Sequence, residues 1–329
     1  MTDAATGISA RTEPARPPSR PLAAVGAYAH LAKLDVFDYY LSLLVVWAAL
    51  APAIRLDPRS LATLVVFGVG EVSVMAGLVA LDDLTGFRDG SDIANYGPDA
   101  PARRLIRKPL VAGTLTEAQV IRFGWITTLA GAGLWTAAFL IAPHRPVWVI
   151  VVAALTFVTS PQYSYGVKLS YHGFQEAYIA ALGWALLLIP YGLVHGSVHG
   201  KADSFIIVQA FVFGLGPLLF GVYSNTNDID GDRGVGRPTV AALTTPRGNA
   251  VFVAAVSTME LLAIVGAPVA GIAPWWFPLA MAPTIVLRAV QYDLGFRRHD
   301  ILRARKLGFW VHRVTVALLI LVNLIMAGV

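Results

Sequence analysis

Long apolar runs separated by polar stretches recur along the whole chain. A helix crosses a bilayer with roughly 20 mostly apolar residues. Nine segments approach that length: 36–54, 60–81, 122–142, 146–162, 174–194, 204–224, 250–271, 274–291 and 308–328. The fourth and eighth are the shortest, and only Ile272 and Ala273 separate the seventh from the eighth. Pro161, Pro190, Pro217 and Pro283 fall within or at the ends of these runs, where neighbouring helices satisfy the freed backbone groups. No intervening segment is large enough for a soluble domain. The pattern predicts an all-α, polytopic membrane protein, with nine transmembrane helices around a central cavity in one domain over residues 25–329. Residues 1–24 carry Pro14, Pro17, Pro18, Pro21 and three arginines and no apolar run. They predict a disordered tail, and without an apolar core of signal-peptide type they predict no cleavage.

Composition agrees with the pattern. Of 329 residues, 56% are hydrophobic and 14% charged, against about 25% charged in soluble domains. So few charges cannot coat a water-facing surface, which argues against a cytosolic enzyme, a disordered protein or a nucleic-acid binder. The absence of cysteine excludes disulfides and thiolate chemistry. The net charge of +5 reads as positive-inside bias. With nine alternating spans, all but four of the 25 Lys and Arg fall on the side of the N-terminus. The four are Arg55, Arg59, Arg145 and Lys201. This predicts a multi-pass protein of the cell membrane, its N-terminus cytoplasmic.

The same side receives two long acidic stretches. One follows the second run and contains Asp82, Asp83, Asp89 and Asp92; the other follows the sixth and contains Asp228, Asp230 and Asp232. Together they hold seven of the 20 acidic residues. On a helix continuing from the sixth run, Asp228 and Asp232 share a face one turn apart, and two bare carboxylates there repel. A divalent cation removes that cost. Mg²⁺ suits hard oxygen ligands, takes one or two carboxylates and fills its sphere with water and substrate phosphate. Asp82 and Asp89 also share a face, with Asp92 one turn further on; Asp83 points elsewhere unless the helix ends there, as Gly86 and Gly90 would allow. Acidic residues at a span end are often solvated loop charges. Two clusters at one face, each followed by bases, point instead to a metal–diphosphate clamp. An EF-hand-like calcium loop at 228–232 lacks the terminal bidentate Glu.

Arg103, Arg104, Arg107 and Lys108 precede Pro109, and Lys168 is the only base of its loop. Arg and Lys both bind phosphate, although positive-inside bias alone also places bases here. Glu71 and Glu260 lie inside predicted spans. Intramembrane carboxylates are costly and suggest function, and Glu71 lies about three turns before Asp82, within reach of an acceptor or a carbocation. His195 and His199 have an i, i+4 metal-like spacing but lie on the opposite side. His172 shares the Lys168 loop. Among aromatics that can face a carbocation, Tyr163, Tyr165 and Tyr223 border the polar motifs.

These features resemble the UbiA superfamily of intramembrane prenyltransferases. The second family motif, D-x-x-x-D-x-x-x-G-x-x-T, is complete as Asp228, Asp232, Gly236 and Thr239. Asn225 and Asn227 are similar to the Asn-rich lead-in of its naphthoate and homogentisate branches. Arg107-Lys108-Pro109-Leu110 resembles the family's basic-Pro element, and Tyr163, Ser164, Lys168, Gly173 and Glu176 its Tyr-Ser…Lys…Gly…Glu element. The first motif departs. With Asp82 and Asp83 in its first two places, Gly86 and Gly90 stand where the family has Asp, and Asp89 and Asp92 are out of register. The resemblance covers roughly residues 28–329. It implies Mg²⁺-dependent transfer of an isoprenyl group from an isoprenyl diphosphate to an aromatic or quinone-precursor acceptor within the lipid bilayer, with both Asp-rich stretches cytoplasmic and no nucleic-acid partner. Together with the residue readings above, it gives catalytic roles to Asp82, Asp83, Asp228, Asp232 and Lys168, substrate contacts to Asn225, Arg107, Lys108, Tyr163, Tyr223 and Glu71, and metal ligation to Asp82, Asp89, Asp92, Asp228 and Asp232. The irregular first motif leaves open a UbiA-type terpene cyclase; a transporter or lipid-binding protein is the alternative outside the fold.

The charge bias carries a direct test. A reporter fused after Val329 is expected outside the cytoplasm and one inserted near Gly97 inside it. Finding both on one side removes the nine-span arrangement.

Overall fold

The computed structural model describes residues 21–34, 36, 38–96, 105–198 and 200–328. The expected tail lies outside them up to residue 20, as do Arg103, Arg104 and His199. The described residues are helical without a strand. The chain runs through α1 (Pro21–Leu31), α2 (Ser42–Ala49), α3 (Pro58–Arg88), α4 (Ser91–Tyr96), α5 (Glu117–Ile141), α6 (Val147–Gln162), α7 (Gln175–His195), α8 (Lys201–Asn227), α9 (Ile229–Gly234), α10 (Pro246–Val269), α11 (Ala282–Tyr292) and α12 (Ile301–Met326). Helix α1 begins inside the segment expected to be tail.

Among the described residues six helices, α3, α5, α7, α8, α10 and α12, are long and apolar enough to cross a membrane. The other three expected spans are shorter, so the count of nine does not follow from helix length. The first run stops at Ala49. Pro52 starts a separate turn, and the buried Arg55 guanidinium donates to the carbonyls of Ala48 and Leu50 at 3.0 and 3.1 Å, closing the helix end. The fourth run, α6, has 16 residues. The eighth breaks at Met281 into a turn over Phe277–Ala280 and the 11-residue α11.

Two departures shape the site. Helix α3 does not end at the first acidic residues; it continues to Arg88 and stops before Gly90, whose φ of 85° suits a residue without Cβ. Asp82 and Asp83 are therefore helical. Helix α8 is interrupted at Asp228, and α9 restarts at once. The Asp232 amide donates to the Asp228 carbonyl at 2.9 Å, so the two aspartates keep their one-turn spacing.

Close backbone approach holds the bundle together. Helices α3 and α5 form the most extensive pairing, followed by α7 with α8 and α8 with α12. A Cβ on Gly131 of α5 would lie 2.9 Å from the Gly70 carbonyl oxygen and 2.5 Å from Val74 of α3. Small residues at such crossings let membrane helices gain dispersion contact where the hydrophobic effect offers none. Gly131→Leu is expected to cost about 1–3 kcal/mol by overpacking. Gly133→Ala, where the added methyl meets nothing within 4 Å, should leave thermal unfolding in detergent unchanged or raise it slightly.

Candidate active site

The two acidic stretches meet at one end of the bundle. Helix α4, which carries the last aspartate of the first, packs on α9 of the second. The contact is tight: a Cβ on Gly231 would stand 2.5–2.8 Å from the Asn95 amide. Arg237, in the turn after α9, reaches across and donates through Nη2 to Asp82 Oδ1 and to Ser164 Oγ, both at 3.1 Å. Ser164 Oγ itself donates to Asp82 Oδ1 at 2.6 Å. The Arg237 guanidinium also stacks 4.6 Å from the centre of the Tyr171 ring.

A second charged cluster lies beside the first. The buried Lys108 ammonium is 2.7 Å from both Asp83 Oδ1 and Asp92 Oδ2, and Lys33 Nζ is 2.8 Å from Asp83 Oδ1. Burial works against the Lys108 charge, but Asp83 and Asp92 outweigh it and hold its pKa well above the usual lysine value. Burial pushes Asp92 up to about 6, with Lys108 opposing and Asp83 adding to the rise. The Asp92 carboxylate also explains Gly86. A Cβ built on Gly86 would lie 2.9 Å from Asp92 Cγ and Oδ2. The carboxylate that is missing from position 86 is thus delivered to the same place from α4, six residues later.

The second stretch is fastened from behind. Thr239 Oγ1 donates to Asp232 Oδ2 at 3.2 Å. The Glu176 carboxylate accepts from the Val240 amide at 3.0 Å and from Asn225 Nδ2 at 3.1 Å, while Gln175 Nε2 donates to Asn225 Oδ1 at 2.8 Å. Burial pushes Asp232 up to about 7, Arg237 opposing and Asp228 adding to the rise.

Both clusters open onto a cavity of about 170 Å³ open to the centres of water-sized groups. Asp82, Asp92, Asp228, Asp232, Asn225, Arg107, Lys108, Arg237 and Arg305 line its polar end; Tyr39, Met75, Leu78, Val79, Tyr163, Tyr178, Leu182, Phe220 and Phe309 line much of the rest. Five expected site residues lie elsewhere. Asp83 is inside its ion cluster, and Asp89 accepts from the Tyr171 hydroxyl and the Ser91 amide. Lys168, in a left-handed backbone conformation at φ 56°, sits 5.0 Å from the centre of the Tyr171 ring. Tyr223 is buried against Phe296 and Gly295. Glu71 lies deeper, in a side cavity. On the opposite side, His195 Nε2 is 3.1 Å from Asp203, which accounts for one of the two histidines read there.

The UbiA prenyltransferase family profile matches residues 39–314, from Tyr39 in the cavity wall to the middle of the last long helix. The chain belongs to the UbiA prenyltransferase family. No curated protein sequence matches it. Among solved structures, a UbiA homolog from Archaeoglobus fulgidus is 14% identical with a TM-score of 0.62, covering 92% of this chain and 100% of that one. A digeranylgeranylglyceryl phosphate synthase is 12% identical with a TM-score of 0.61, over 92% and 99%. The Archaeoglobus fulgidus homolog bound to GPP and Mg²⁺ is 12% identical with a TM-score of 0.56, over 88% and 99%. At these identities the likeness is one of fold. Within the UbiA motif, Arg237 sits between Gly236 and Thr239. Charge counting treats it as a topological base, and its place inside the motif was the available signal that it is more. Lys33 carried no such signal.

Removing the ammonium from the first cluster should be costly. Lys108→Met leaves two buried carboxylates without their shared partner and is expected to lower stability by about 3–5 kcal/mol. Arg88→Ala breaks a pair with Glu117 in which both side chains are over 40% exposed, and should stay within about 1 kcal/mol. Thermal unfolding of the purified variants distinguishes the two.

Proposed function

We propose that this protein transfers an isoprenyl group from an isoprenyl diphosphate to an aromatic or quinone-precursor acceptor within the membrane. The observation that carries the reading is the division of one cavity. Four carboxylates and several bases gather at one end, and the walls beyond are apolar and aromatic. A diphosphate headgroup and an isoprenoid tail have the same division.

The donor set fits Mg²⁺. Asp82, Asp92, Asp228 and Asp232 offer hard oxygens from two segments, and the raised pKa of Asp232 marks a carboxylate that a cation would relieve. Mg²⁺ held there would neutralise charge on the diphosphate. The solved Archaeoglobus fulgidus homologs bound to GPP with Mg²⁺ and to DMAPP with Mg²⁺ support the same assignment.

The remaining work falls to the chain's own side chains. When the prenyl C1–O bond breaks, its electron pair stays with diphosphate. Arg107 and Arg237 at the polar end stabilise that developing charge. Tyr163, Tyr178 and Phe220 line the cavity and supply aromatic rings able to stabilise an allylic cation, and the apolar wall keeps bulk water from it. The acceptor carbon then supplies the pair for the new bond, and the proton lost from that carbon leaves on the diphosphate. The excess of Lys and Arg on this side supports a cytoplasmic position for the polar end. The irregular first motif was the reason to consider a terpene cyclase. With the Asp92 carboxylate over Gly86, that reason loses its weight.

Membranes incubated with C10, C15 and C20 diphosphates should release prenylated product only with an aromatic acceptor; hydrocarbon formed without acceptor would favour the cyclase. Asp228→Ala and Asp232→Ala should each lower turnover by about 10²–10³ or more, the loss seen for a single charge-stabilising group elsewhere. A chelator should abolish it. Arg237→Ala should cost about ten- to a hundredfold, and Lys168→Ala, outside the cavity lining, far less. Near wild-type turnover by both folded Asp variants overturns the reading.

A further inference from the structure

A second cavity lies away from the acidic stretches, between α10 and α11. About 350 Å³ of it is open to the centres of water-sized groups, about twice the space of the main cavity. The two helices pack sparsely on each other, and the link between them is polar. Arg288 of α11 donates through Nε and Nη2 to the Glu260 carboxylate of α10 at 2.8 and 3.0 Å, and through Nη1 to Gln291 Oε1 at 2.7 Å. Gln291 Nε2 donates in turn to the Ala304 carbonyl of α12 at 3.1 Å. Glu260 and Arg288 are both buried. Their charges are met by the chain itself, so they ask nothing of a ligand. They set the spacing of the two helices and keep the groove from closing.

The groove has two ends of different chemistry. Leu261, Ile264, Ile285 and Ala289 supply its apolar length, while Tyr292 and Arg297 stand where α11 finishes. Arg297 belongs to a widened turn over Asp293–Arg297, in which the Arg298 amide reaches back five residues to the Asp293 carbonyl at 3.0 Å. That turn brings the Arg298 guanidinium to 2.6 Å from the Asp293 carboxylate and leaves Arg297 3.9 Å away and 79% exposed. Two guanidiniums thus share one carboxylate, and the more distant one keeps donors for another anion. Tyr292 beside it is a residue type suited to headgroup depth.

We propose that this groove binds one anionic phospholipid, its phosphate on Arg297 and one acyl chain along Leu261, Ile264 and Ile285. The proposal is independent of the prenyl-transfer reading. In a bilayer, apolar walls without facing atoms lose dispersion energy, and an acyl chain restores it. The phosphate supplies Arg297 with the negative charge that Asp293 gives mainly to Arg298. Basic recesses between spanning helices on the cytoplasmic side suit anionic headgroups, and the charge bias predicts that side for Arg297. A zwitterionic lipid carries the same phosphate together with its own cation, which competes with Arg297 for it.

The test counts the lipids that the full-length protein retains. Protein in mild detergent with equal amounts of phosphatidylglycerol and phosphatidylcholine is analysed by native mass spectrometry. The wild type should keep one phosphatidylglycerol about fivefold more often than phosphatidylcholine, the worth of one basic side chain beside an anionic lipid. Arg297→Ala should erase that preference. Arg122→Ala, which removes an exposed base of the same predicted side outside the groove, should preserve it. Ala289→Trp, which fills the apolar wall, should lower retention of both lipids severalfold. If Ala289→Trp does not fold, the two arginine variants decide, since both of those side chains are exposed. Equal retention of the two lipids by the wild type, or the same loss of preference in the Arg297 and Arg122 variants, overturns the site. So does release of the bound lipid by excess inorganic phosphate, which would assign Arg297 to a free anion.

Discussion

The ammonium of Lys108 lies 2.7 Å from carboxylates of two different helices, Asp83 in α3 and Asp92 in α4. Each charge alone would cost several kcal/mol to bury. Together they form a set in which removing any member strands the others. That mutual dependence fixes where α4 sits on α3, and through α4 it fixes the approach of α9. The polar end of the bundle is thus assembled by charges that cannot separate without exposing one another.

Two side-chain-free positions make the assembly possible. Gly86 leaves room for the Asp92 carboxylate, and Gly231 leaves room for the Asn95 amide. The first lies where α3 meets α4, the second where α4 meets α9 of the other acidic stretch. Arg237 completes the bridge to Asp82 from the far stretch. Its guanidinium is balanced by that carboxylate and by the Tyr171 ring.

Much of this was legible in residue order. Long apolar runs gave the helices because hydropathy and helix length are local properties. The spacing of Asp228, Asp232, Gly236 and Thr239 gave the second motif for the same reason. The contacts that organise the site are not local. Arg237 meets Asp82 across 155 positions, and no periodicity encodes that. Asp92 is out of register along a single helix, but its carboxylate returns toward Gly86 from the next helix. Lys168 was singled out by its loop, but its side chain lies by Tyr171. The nine runs of similar length concealed the breaks at Pro52 and Met281, where hydropathy continues although the helix does not.

Helix α3 has 31 residues, about 46 Å at 1.5 Å per residue, while the hydrocarbon core of a bilayer is only about 30 Å thick. Asp82 lies some 36 Å from the start of that helix, at headgroup depth if Pro58 marks the opposite boundary. For the proposed isoprenyl diphosphate, a headgroup held at the carboxylates would then stay in water while its tail stays in oil. The concentration that governs encounter becomes a surface density. Diluting the membrane with inert lipid would slow such a protein, while diluting the surrounding buffer would not.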